Sequence, residues 1–135
     1  MTKELDMRAG LSLAQALEEH LAEWAESTGI TVEIWALPGR DVPVRIARAV
    51  LATLGEALSN VERHSRARVV SVAVTLGSAG LRMTVSDNGI GFAGPVTGRG
   101  VTVMRTHFTE VGGTLSVNGV PGEGTTVTGV VPRNG

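Results

Sequence analysis

The apolar positions of this chain change period several times, and each change marks an element. Ala14, Leu17, Leu21, Trp24 and Ala25 recur at helical spacing. Ser12 and Gln15 ahead of them have the spacing of a capping box, and Gly29 is placed to end the helix. Residues 30–36, Ile-Thr-Val-Glu-Ile-Trp-Ala, alternate and predict a strand, followed by a turn at Leu37-Pro38-Gly39-Arg40. Pro43 suits the first turn of a second helix, which runs to about Arg63. Residues 68–76 form a strand with Val70, Val72, Val74 and Leu76 on one face. Gly77-Ser78-Ala79-Gly80 is a hairpin turn, and residues 81–87 return as a strand. A glycine-rich loop runs to Gly100, a helix covers residues 101–110, and Gly112-Gly113 stops it. Residues 114–119 and 125–131 make a last hairpin around Pro121-Gly122-Glu123-Gly124. The order αβαββαββ predicts an α+β fold, a two-layer sandwich with about five strands in a mixed sheet and three helices on one face.

Composition narrows the class. The chain has 135 residues, of which 42% are apolar, enough for one domain with a sizeable core. Residues 1–10 read as a tail or expression remnant and 11–135 as the domain. Twelve basic residues against 13 acidic ones leave no basic excess for a sequence-blind grip on nucleic acid. Cysteine is absent, which excludes disulfides, thiolate metal sites and a cysteine nucleophile. No run approaches the ~20 apolar residues of a membrane span, and no signal-peptide pattern begins at Met1, so this segment is expected to lie in the cytoplasm without touching a membrane. Glycine is abundant, 18 residues in all and mostly after Gly77, against a usual share of ~7%.

Three polar clusters stand out against this background. On the second helix, at about 100° per residue, Val44, Ala47, Val50, Leu51, Leu54, Leu58 and Val61 share the core sector. Glu56, Asn60 and His64 fall together in a neighbouring sector, each four residues from the last. A carboxylate, an amide and an imidazole in a row can polarise a water, hold a divalent ion and meet a phosphate, and Mg²⁺ accepts one amide oxygen plus phosphates as ligands. The second cluster is Asp87-Asn88-Gly89-Ile90-Gly91-Phe92. Asp87 shares a strand face with Leu81, Met83 and Val85, where a carboxylate is costly unless something donates to it, as adenine's amino group does. Gly89 and Gly91 let the backbone approach a flat ring. The third is Gly98-Arg99-Gly100, whose amides at a helix start favour phosphate; it lacks the Lys-Ser/Thr element of a Walker sequence. Taken singly, the first cluster also suits a solvated helix face, the second a turn and the third an ordinary loop.

Taken in order, the clusters resemble the ATP-binding catalytic domain of bacterial sensor histidine kinases, in the superfamily that includes gyrase, Hsp90 and MutL. Glu56-x-x-x-Asn60-x-x-x-His64 is similar to its N box and Asp87-x-Gly89-x-Gly91 to its first glycine box. Gly98-x-Gly100 with Met104 resembles the second glycine box, and Pro121-Gly122-x-Gly124-Thr125 the closing hairpin. The resemblance covers residues 11–132. The short interval from Phe92 to Gly98 is similar to that of kinases paired with response regulators of the NarL type and, more distantly, of actinobacterial oxygen- and redox-sensing kinases.

The resemblance implies a Bergerat fold that binds ATP with Mg²⁺ and transfers the γ-phosphoryl group to a histidine on a separate dimerisation domain. It implies catalytic roles for Glu56 and Asn60, with Asn60 the metal ligand. His64 would lie near the phosphates, Asp87 would bind the adenine amino group, and Gly89 and Gly91 would line the base. Gly98 and Gly100 would close on the phosphates, and Thr125 or Thr126 would support the Asp87 carboxylate. The implied partners are that phosphoacceptor and dimerisation domain and a cognate response regulator. His20, in Glu18-Glu19-His20-Leu21, lacks the surroundings of a phosphoacceptor, and His107 reads as structural or exposed. Two other readings use the same boxes: a serine/threonine kinase of the anti-sigma-factor type, and a degenerate module that holds a partner without nucleotide.

Overall fold

A computed structural model describes residues 12–91 and 99–133, with the side chains of His64, Ser65 and Arg99 outside that description. The elements follow in the expected order: α1 (Leu13–Thr28), β1 (Thr31–Ala36), α2 (Val44–Asn60), β2 (Val69–Gly77), β3 (Gly80–Asp87), α3 (Arg99–Thr109), β4 (Thr114–Val120) and β5 (Gly124–Pro132). Local chemistry sets several of the boundaries. The Ser12 hydroxyl accepts from the Gln15 amide at 3.1 Å, while the Gln15 side chain accepts from the Ser12 amide at 2.9 Å. This reciprocal cap starts α1. Gly29 ends the helix with φ +76°, a left-handed conformation that costs glycine little. Pro43 is the N-cap of α2, one position ahead of the helix proper.

The sheet has strand order β1-β2-β3-β5-β4. β1 runs parallel to β2, and the other neighbours are antiparallel. A parallel neighbour needs a crossover, and α2 supplies it. The hairpin between β2 and β3 closes on the pair Gly77 and Gly80, leaving Ser78 and Ala79 as its loop.

Alternation puts Val70, Val72, Val74, Leu81, Met83 and Val85 on the buried face of the sheet. They meet Leu13, Leu17 and Leu21 of α1, Val50, Leu51, Leu54 and Leu58 of α2, and Met104 and Phe108 of α3 in one core. Tight packing explains one glycine in mid-strand. A Cβ at Gly129 would lie 2.5 Å from Cζ of Phe108, so the ring of α3 occupies the space a side chain on β5 would need.

Val44 departs from expectation. It shares the helical sector of the core residues but is exposed, because it is the first residue of α2 and projects beyond the sheet-facing layer. The second departure is at the other end of the helix. α-helical geometry stops at Asn60, and Val61–Ser65 form a single π turn that ends at Arg66 with φ +58°. A π turn holds more residues than an α turn. The four-residue ridge from Glu56 to Asn60 is therefore α-helical, whereas the step from Asn60 to His64 crosses wider backbone.

Candidate nucleotide site

Glu56 and Asn60 lie on the last two turns of α2, both half-buried. Gly100 stands in the first turn of α3, which packs alongside α2. A Cβ on Gly100 would come within 3.2 Å of Nδ2 and 3.3 Å of Oδ1 of Asn60, and 3.4 Å of Oε2 of Glu56. Two clusters far apart in sequence thus converge: the start of α3 sits directly against the amide and carboxylate of α2. Bare glycine at this position lets the first turn of α3 approach the polar end of Asn60 this closely. Gly98 lies outside the described residues, as does the side chain of His64, although its backbone belongs to the π turn.

Asp87 ends β3, half-buried, on the same face as Met83 and Val85. Its Oδ1 accepts from the Gly89 amide at 2.8 Å. The backbone N–H of Thr125, its register partner on β5, also donates to the carboxylate. Burial raises the Asp87 carboxyl above its ordinary value of 3.8, against the opposing pull of those two amides. Two donors leave lone pairs of an ionised carboxylate still to be satisfied, and an exocyclic amino group is a donor of the right kind. Thr125 therefore supports Asp87 through its backbone, while the Thr126 hydroxyl is engaged with that of Ser86 at 2.9 Å.

The loop after Asp87 is held from the opposite side by the tip of the last hairpin. The Gly122 amide donates to the Ile90 carbonyl at 2.7 Å. Gly91 has φ +64°, and a Cβ there would run into the carbonyls of Val120 and Gly124. Approach to that hairpin is thus sufficient reason for glycine at 91. Gly89 is buried and serves Asp87 through its amide.

Sequence reasoning passed over Asn88 as turn material. Its Oδ1 accepts from the amides of Arg68 at 2.9 Å and Val69 at 3.0 Å, and its own amide donates to the Val69 carbonyl at 3.3 Å. Only the register of β2 against β3 reveals this role.

Comparison with known proteins identifies the family and the fold. Residues 45–135 match the model of the histidine kinase-, DNA gyrase B- and HSP90-like ATPase family. The chain belongs to that family. Among curated proteins it is similar to the sensor histidine kinase LiaS of Bacillus subtilis, 32% identical over 126 residues, covering 91% of this chain and 35% of that one. It is also similar to the sensor histidine kinase MctS of Rhizobium johnstonii, 36% identical over 131 residues, covering 92% of this chain and 28% of MctS. The chain spans about a third of the length of these relatives. The histidine kinase domain of the blue-light-activated kinase of Erythrobacter litoralis superposes with TM-score 0.78 at 26% identity, over 98% of this chain and 65% of that one. The ATP-binding domain of PrrB from Mycobacterium tuberculosis shares the fold, with TM-score 0.66 at 17% identity over 88% and 95% of the two chains. The two-layer sandwich is accordingly the Bergerat fold, and ATP is the ligand that membership of this ATPase family implies.

Among the described residues no group of three or more acidic, histidine or cysteine side chains could hold a metal ion by itself. No helix among them is long and apolar enough to cross a membrane.

Proposed function

We propose that this domain binds Mg-ATP and serves as the catalytic domain of a two-component sensor histidine kinase. The observation that carries the reading is the convergence of Gly100 on Asn60 and Glu56, with a half-buried carboxylate at Asp87 on a strand packed against the same helix. One end of this arrangement offers an acceptor to a purine amino group, and the other offers an amide oxygen and helix-start amides to phosphates.

Asp87 would hold the purine, oriented by Gly89 and Thr125. Asn60 would present its Oδ1 to Mg²⁺, whose remaining ligands would come from phosphate oxygens and water, as Mg²⁺ prefers. The ion supplies charge neutralisation on the phosphate chain. His64 and the amides at Gly98 and Gly100 would face the phosphates. Glu56, one helical turn before Asn60, would orient or deprotonate the incoming nucleophile. In the transfer, the bond from the γ-phosphorus to the bridging oxygen breaks, a bond from phosphorus to an imidazole nitrogen forms, and ADP leaves. Such transfer asks mostly for positioning and charge stabilisation. The acceptor histidine would come from a dimerisation domain outside this chain, and the phosphoryl group would pass on to a response regulator. LiaS and MctS are both sensor histidine kinases, which favours this acceptor over a serine or threonine.

Calorimetric titration with ATP, with and without Mg²⁺, tests the first half. Binding is expected for the wild type and loss of binding for Asp87→Asn. Mixing the domain with the dimerisation domain of its parent kinase and labelled ATP tests the second half. The label is expected in an acid-labile, alkali-stable linkage; an acid-stable product would instead indicate a serine or threonine acceptor, and no binding by wild type would overturn the reading altogether.

A further inference from the structure

The Asn88 side chain ties the peptide after the proposed purine acceptor Asp87 to Arg68 and Val69, which follow the phosphate-side group Asn60 along the chain. Asp87, its neighbour, is the purine acceptor. Arg68, and Val69 at the start of β2, donate their amides to Oδ1 of Asn88, and they follow the segment that leaves Asn60 through the π turn and the left-handed Arg66. Strand pairing is already running out here: Val70 and Asp87 are the last register partners of β2 and β3. Beyond them, the Asn88 amide donates to the Val69 carbonyl, and Oδ1 stands in for the missing strand carbonyl toward two amides. Two N–H donors converging on one atom also fix which way the amide points.

We propose that Asn88 is a positioning residue for nucleotide binding, which sets the separation of the purine acceptor Asp87 from the phosphate-side group Asn60. It touches neither end of the ligand. It locks the exit of the α2 segment onto the peptide that follows Asp87, so a ligand spanning both ends finds them at one spacing. The arrangement is specific to an acceptor on a short side chain: Asp retains it, Ala removes it, and a longer Gln misplaces the oxygen. The side chain is exposed, so its loss leaves no cavity in the core.

This inference rests on the nucleotide reading, and the test separates the two. ATP and adenosine are titrated by NMR into wild type, Asn88→Ala, Asn88→Asp and Asp87→Asn. A residue that only sets spacing matters to the ligand that spans both ends, so Asn88→Ala is expected to weaken ATP about tenfold and adenosine less than about threefold. Asn88→Asp is expected to restore ATP binding to within about threefold of wild type. Amide exchange at Arg68 and Val69 is expected to quicken in the alanine variant and not in the aspartate variant. If wild type binds ATP and Asp87→Asn does not, yet Asn88→Ala binds ATP like wild type or loses both ligands equally, the positioning role is wrong. If wild type binds neither ligand, the nucleotide reading falls and this inference with it. Should Asn88→Ala fail to fold, Asn88→Ser, whose hydroxyl is too short to reach both amides, is expected to show the same split between ATP and adenosine, and its absence overturns the proposal.

Discussion

Gly100 of α3 and Asn60 of α2 are so close that a methyl group on Gly100 would stand 3.2 Å from the Asn60 Nδ2. Helix propensity favours alanine over glycine by up to about 1 kcal/mol in a helix interior and by less in the first turn, whereas a Cβ here needs the Asn60 side chain to give way slightly. Gly100→Ala is therefore expected to melt at or above the wild-type temperature while binding ATP about tenfold more weakly. Thermal unfolding and calorimetry on one preparation check both signs together.

Asp87 makes a prediction about pH. Its carboxyl is raised above 3.8 chiefly by burial, so the folded chain holds the proton more tightly than the unfolded chain. The contribution of Asp87 to stability is thus most favourable below the unfolded value and declines as pH rises through the folded one. Above that window the ionised group carries a constant cost, which Asp87→Asn removes. The variant is expected to unfold at a higher temperature than wild type near neutral pH, with the difference vanishing at about pH 3, where both chains are neutral at this position. Melting curves taken across that range decide it; a gain that grows toward acid would contradict the sign.

Gly129 tests the packing that orients α3. Phe108 is fully buried, so its ring has no free space into which to retreat from a Cβ only 2.5 Å from Cζ. Gly129→Ala is expected to destabilise the domain by about 3 kcal/mol, at the upper end for an inserted methyl group. Urea unfolding gives the number, and Phe108→Leu should recover part of it in the double variant.

Thr53 lies on α2, one turn before Glu56. It is fully buried, and its hydroxyl has no hydrogen-bond partner among the described residues. Valine has nearly the same shape without the polar atom. Thr53→Val is expected to stabilise the domain by about 1 kcal/mol, measured by urea unfolding, because it removes a desolvation cost and leaves no cavity.

Much of the architecture could be read before any coordinates. Period-two runs in Val70–Leu76 and Leu81–Val85, the Ser12 and Gln15 cap, and Gly29 each act through contacts a few residues long, and local chemistry reports itself in local sequence. Asp87 stood out for a related reason, a carboxylate on the core face of a strand, whereas Glu56 and Asn60 showed as a four-residue ridge that a solvated helix face also suits. The end of α2 was not legible, because the change from α to π winding at Val61 leaves no mark on the apolar period.

Tertiary structure alone decided which residues meet. Gly91 reads as clearance for a ligand, yet a Cβ there would strike the carbonyls of Val120 and Gly124, and at Gly129 the Phe108 ring fills the place a side chain would take. Asn88 resembles any turn asparagine until Arg68 and Val69 are brought beside it. The amino-acid order determined the elements, their faces and the chemistry available, because those depend on near neighbours along the chain. The distances between α2, the end of β3 and the start of α3 depend on sheet register and helix packing, which are properties of the whole folded domain.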